Sequence, residues 1–139
     1  MGVIVGLDVG TKTIGVACAY AKGRIARPKG VVSRRGVKKD VFRLQEILAK
    51  EPVEAFVVGL PFDQDGAERR GVHLARQIGS AVHESFGVPV HYQDEAYSTV
   101  EASQRLHDAG RPYSRQKNRI DAAAAAVILQ DWLDDSGSL

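Results

Sequence analysis

Three β-branched, apolar runs are crowded into the first 33 residues, with no helical periodicity between them. Residues 3–9 and 13–20 are joined by Gly10-Thr11-Lys12, and residues 25–33 supply a third run, so the chain opens as a strand meander. The period then changes. Val37, Val41, Leu44 and Leu48 recur at spacings of four, three and four, which is an amphipathic helix. Ala55-Phe56-Val57-Val58-Gly59 is too short for a helix and reads as a buried strand running into a loop from Pro61 to Gly66. Asp65 with Glu68 resembles a capping box, and Val72, Ala75, Ile78 and Val82 carry a second helix to about Ser85.

A fifth strand over Val88 to Tyr92 leads into Gln93-Asp94-Glu95 and the capping box Ser98-x-x-Glu101 of a third helix that stops near Gly110. Arg111 to Ser114 connect it to a final helix from about Arg115 to Leu133, followed by a frayed acidic tail over residues 134–139. A hairpin meander joined to two βα crossovers predicts an α/β fold, with a mixed five-stranded sheet and helices on both faces. With 139 residues and neither internal repeat nor linker, the chain reads as one domain over residues 1–139.

The longest Ala/Val/Ile/Leu run, Ala122 to Leu129, has eight residues, against roughly 20 for a bilayer crossing. The opening Val3-Ile4-Val5 has no basic segment before it, so neither membrane nor secretory signal is read. The single cysteine, Cys18, lies in an apolar strand and reads as a small buried hydrophobe, which fits a reducing, cytoplasmic setting.

Net charge is only +2, yet it is unevenly placed. Residues 1–50 carry a balance of +8 and residues 51–139 one of −6. Nine basic residues lie between Lys22 and Arg43 against the lone acid Asp40, among them Arg34, Arg35, Lys38 and Lys39. Arg111, Arg115, Lys117 and Arg119 form a second acid-free cluster, and Lys12 sits in the first turn. Two such clusters point to a polyanionic partner, whereas one alone would be read as a solvated face.

Three acidic positions stand where an ordinary core would not place them. Asp8 interrupts an apolar strand between Gly6 and Gly10. Asp94 and Glu95 follow the fifth strand, at the carboxyl edge where open α/β sheets bind ligands. Asp121 lies between Ile120 and a run of alanines on the last helix. Each has a plain alternative: a turn cap for Asp8, a helix pair with Lys117 for Asp121, a loop start for Asp94 or Glu95. Buried, each needs a cation or hydrogen bonds; converging at one sheet end they make an all-oxygen donor set for one or two Mg²⁺ or Mn²⁺ ions. Such a site hydrolyses phosphodiesters without Cys or His.

Other chemistries lack their residues. His73, His83, His91 and His107 show no zinc spacing, and no Gly-x-x-x-x-Gly-Lys-Ser/Thr loop or Gly-x-Ser-x-Gly elbow occurs. Paired carboxylates also serve glycoside hydrolysis, but clustered bases suit a neutral sugar poorly.

Gly6-Leu7-Asp8-Val9-Gly10-Thr11-Lys12-Thr13-Ile14-Gly15-Val16-Ala17, Val57-Val58-Gly59-Leu60-Pro61 with Asp65-Gly66, Asp94-Glu95 with Ser98-Thr99, and Ile120-Asp121 with Ile128-Leu129-Gln130 resemble the YqgF/RuvX family across nearly the whole chain. The resemblance implies a ribonuclease H-like fold and a nuclease, either of pre-16S rRNA 5′ processing or of Holliday junctions. It places the family's acidic triad on Asp8, Glu95 and Asp121, and it alone prefers Glu95 to Asp94. Where that family commonly has Arg after Asp-Glu, this chain has Ala96. The implied partner is structured RNA or branched DNA, met by a monomer or a homodimer.

Two rivals remain at this point. Asp8-x-Gly10-Thr11 also resembles the first phosphate loop of actin-like and sugar-kinase ATPases, which need two such lobes where this chain has residues for one. The other rival is a nucleic-acid-binding module without catalysis.

Overall fold

The computed structural model describes residues 2–20, 25–61, 67–94 and 113–136. Strands β1 (Val3–Val9), β2 (Thr13–Tyr20) and β3 (Ala26–Ser33) form the expected antiparallel meander. Helix α1 (Val37–Ile47) and strand β4 (Val53–Leu60) follow, then helix α2 (Ala67–Phe86) and strand β5 (Val90–Asp94). The last described element is helix α3 (Tyr113–Ser136). The five-stranded sheet has the order β3-β2-β1-β4-β5, with β1, β4 and β5 parallel. The mixed sheet is therefore as expected. The helix expected over residues 98–110 lies outside the described residues.

Strand alternation sorts the sheet into two unlike faces. Val3, Val5, Leu7 and Val9 of β1, with Ile14, Val16 and Cys18 of β2, join Phe56 and Val58 in a core closed by α1 and α2. Val41, Leu44 and Leu48 supply the α1 side of that core, and Ala75, Ile78 and Val82 the α2 side. The opposite face is small: Ala17, Ala19 and Val57 pack against Ala125, Ile128, Leu129 and Leu133 of α3.

Those small residues set how closely α3 lies on the sheet. A Cβ added at Gly6 would come within 2.7 Å of Leu129 Cβ and 2.9 Å of the Ala125 carbonyl oxygen. At Gly15 it would come within 2.5 Å of the Asp121 carbonyl carbon. Asp121, Ala125 and Leu129 are spaced by four and form one stripe of α3, which lies directly on the backbone of β1 and β2. A larger residue at either glycine would lift the helix.

Element ends depart from the sequence expectation where backbone pairing outruns side-chain polarity. β4 starts at Val53 because Val53 pairs with Val3. α3 starts at Tyr113 and continues to Ser136, so residues 134–136 are helix, not part of a frayed tail. Gln130 Nε2 donates to Asp134 at 3.1 Å, and Gln93 Nε2 reaches across from β5 to Asp135 at 3.1 Å. Among the described residues, no helix is long and apolar enough to cross a membrane.

Candidate active site

Asp8 is the next-to-last residue of β1 and alternates with Gly6 and Ile4, which places it on the α3 face at the carboxyl end of the parallel strands. Its Cα partner across the hairpin is Gly15. Since the backbone of Asp121 lies on Gly15, the two acids are neighbours in space although 113 positions separate Asp8 from Asp121. Both are half-buried. Thr13 of β2 shares the face of Gly15, and its Oγ1 donates a hydrogen bond to Asp121 Oδ2. The hydroxyl holds that carboxylate toward the sheet end where Asp8 stands.

Thr13 was not among the residues singled out in the sequence. Its signal is alternation: Thr13 and Gly15 are two apart on β2, as Gly6 and Asp8 are on β1, so the hairpin brings all four to one face. Glu95 lies outside the described residues, and Asp94 ends β5, whose Cα partner on β4 is Leu60. Among the described residues, no group of three or more Asp, Glu, His or Cys assembles.

The basic residues divide. Arg34 corrects the sequence reading that placed it among surface contacts. Its Nε lies 2.8 Å from Asp40 Oδ2, and its Nη1 donates to the Gly10 carbonyl at 3.0 Å. Asp40 is fully buried, and its other oxygen accepts the Arg35 backbone N–H at 2.8 Å. The lone acid in the basic run is thus an internal tie between the start of α1 and the β1–β2 turn. A charge buried there needs its counter-ion, so Arg34 is committed to structure.

Lys12, Arg35, Lys38 and Lys39 are exposed, Lys12 in the β1–β2 turn and the others beside or on α1. Arg115, Lys117 and Arg119 belong to the first turns of α3. At the far end of the sheet, the Tyr20 hydroxyl donates to both oxygens of Glu51 at 2.9 and 3.0 Å, and Lys29 joins at 3.3 Å. The Glu51 carboxylate raises the pKa of the Tyr20 phenol through that hydrogen bond. Cys18 is buried, and loss of solvent pushes its thiol up to about 11, with Glu51 adding to the effect. It is no nucleophile at neutral pH.

The family model described as "RuvX: Holliday junction resolvase" matches residues 2–135. The chain belongs to the RuvX family. A protein of Anaeromyxobacter sp. (strain Fw109-5) named "Putative pre-16S rRNA nuclease" is 42% identical over 129 residues, covering 93% of this chain and 94% of its own length. A protein of the same name from Moorella thermoacetica is 38% identical over 134 residues, covering 96% of each chain. Thermus thermophilus RuvC in complex with a Holliday junction substrate superposes with a TM-score of 0.56 at 22% identity, covering 99% of this chain and 98% of that one. That likeness bears out the ribonuclease H-like fold, and the RuvX family is one of enzymes that hydrolyse nucleic acid.

Proposed function

We propose that this RuvX-family chain is a divalent-cation-dependent endonuclease of structured RNA precursors, acting at the 5′ end of pre-16S rRNA in the cytoplasm. The observation that carries the reading is the seating of Asp121 on Gly15, the partner of Asp8, with Thr13 bonded to the Asp121 carboxylate. Two half-buried carboxylates at one sheet end repel one another, and a cation between them offsets that repulsion.

The donor chemistry fits Mg²⁺ or Mn²⁺, one ion or two: the oxygens are hard, and neither thiol nor imidazole is among them. Asp8 and Asp121 would hold the cation, with Glu95 as the third carboxylate. Glu95 is preferred to Asp94 on the family resemblance alone. When bound, the cation supplies Lewis-acid polarisation of a phosphodiester and offsets charge on the leaving oxygen. Thr13 keeps the Asp121 carboxylate oriented. Lys12, Arg35, Lys38 and Lys39, with Arg115, Lys117 and Arg119, would bind phosphates along the approach.

The relatives near 40% identity carry the pre-16S rRNA name, which favours RNA. The family description favours a second reading, cleavage of four-way DNA. Two symmetric cuts across a junction need two sites at fixed spacing, hence a two-fold dimer, whereas precursor trimming needs one site. End-mapping of products from a labelled 16S precursor leader and from a four-way DNA junction, each with Mg²⁺ or Mn²⁺, tests the choice. Defined cuts in the leader are expected. Paired symmetric nicks by a stable dimer, with an intact leader, would reverse it.

A further inference from the structure

A second surface stands apart from the acids. Helix α1 buries Val41 and Leu44, and Phe42, one of the two residues between them, is turned outward and 60% exposed. An amphipathic helix gains nothing for its core from an aromatic on that side. Lys38 and Lys39, four and three residues earlier, share the Phe42 side of α1, and Arg35 lies just ahead of the helix. With Ser33 and Arg43, these residues line a groove of about 610 Å³ beside β3.

The acids beside that groove are already satisfied. Asp40 is closed off by Arg34, and Glu46 is paired with Arg43 at 3.1 Å. Arg35, Lys38 and Lys39 therefore give the groove an excess of positive charge around an uncovered ring. Val31, also on its wall, is the Cα partner of Gly15, which in turn partners Asp8. The β3 wall of the groove thus stands in the same row of the sheet as Asp8, two strand spacings or roughly 10 Å away, while its α1 wall covers the opposite face of the sheet.

We propose that this groove binds a single-stranded flank of the nucleic-acid substrate, with one base stacked on Phe42 and the adjoining phosphates on Arg35, Lys38 and Lys39. A continuous duplex offers no free base face, so the surface selects an unpaired segment beside a structured one. An acidic protein would satisfy the lysines but leave the ring without a flat partner. The proposal rests on the nuclease reading for its biological sense, but its binding test needs no cleavage.

Binding is measured in chelator, with a single-stranded 12-mer bearing 2-aminopurine and with a blunt duplex. Phe42→Ala should weaken the single strand by about 5- to 150-fold and abolish the 2-aminopurine quenching, leaving the duplex unchanged. Phe42→Trp should restore both. The salt slope of single-strand binding should stay the same in Phe42→Ala and fall by about 1.4 when Lys38 and Lys39 are both changed to Ala. Parent-like binding by a folded Phe42→Ala, or equal weakening on strand and duplex, would overturn the proposal. So would a parent protein that ignores the 12-mer but binds polyglutamate. Phe42-dependent binding in a protein that never cleaves would uphold the groove and defeat only the nuclease reading.

Discussion

Replacing Gly15 by alanine places a Cβ 2.5 Å from the carbonyl carbon of Asp121 and closer still to its oxygen, whereas ordinary contact begins near 3.4 Å. The obstructing atoms are backbone, so no side-chain rotation relieves the clash, and α3 must withdraw from β2 by at least about 1 Å, the shortfall at the carbonyl carbon, and by more to clear the oxygen. Overpacking of this kind costs about 1–3 kcal/mol, with the upper end expected against backbone. For a chain of this size, that lowers the melting temperature by about 3–10 °C. The same displacement carries Asp121 away from Asp8, and a misplacement of about 1 Å in a catalytic site costs on the order of 100-fold in rate. Gly30→Ala on β3 is the control: its Cβ meets nothing within 4 Å, so its melting temperature should hold or rise slightly. Thermal melts and single-turnover cleavage of the three proteins give both readouts. A Gly15→Ala protein that melts and cleaves like the parent would refute the close seating of α3.

Arg34→Met should destabilise the fold by about 3–5 kcal/mol in denaturant titration, because it strands the fully buried Asp40, and restoring salt should not repair it. If it folds normally and only weakens nucleic-acid binding, Arg34 is a surface contact after all. Thr13→Val should leave the melting temperature within a few degrees but weaken Mn²⁺ activation by about 10- to 100-fold, since the hydroxyl orients the Asp121 carboxylate proposed to hold the cation; unchanged activation would remove Thr13 from the site. Cys18 should resist iodoacetamide at pH 8 in the folded protein and react on unfolding. Its folded pKa is raised from 9.0 to about 11, so the stabilisation from the neutral thiol is present below pH 9 and is lost as pH rises toward 11. Rapid native alkylation would contradict the burial.

The sheet and its layers were legible because side-chain period reports directly on strand and helix: Val37, Val41, Leu44 and Leu48 announce α1, and the three runs before it announce the meander. Asp8 and Asp121 stood out because a charge within an apolar segment is costly without a partner. The bond from Thr13 to Asp121 spans 108 positions and is created only when α3 crosses β2, so no local pattern could state it. Arg34 shows the opposite limit. Charge counting treats nine bases alike, while the turn from β3 into α1 aims one of them inward at Asp40. Asp134 and Asp135 read as solvated tail from the sequence, whereas Gln130 and Gln93 bond them at the end of α3, contacts that no local pattern states.

On the proposed function, Asp8, Glu95 and Asp121 together hold a divalent cation on which cleavage by this chain depends. This is tested most directly by measuring cleavage of the structured RNA leader across a Mn²⁺ titration, with Asp8→Asn, Glu95→Gln and Asp121→Asn beside the parent, and by melting all four proteins in chelator. Each amide should abolish metal-dependent cleavage while its chelator melting temperature holds or rises, because one of several crowded negative charges has been removed. An Asp8→Asn protein that melts clearly below the parent in chelator, by the cost of a lost cap of about 1 kcal/mol, yet cuts normally with Mn²⁺, would exclude Asp8 from a cation site and return it to the role of a turn cap.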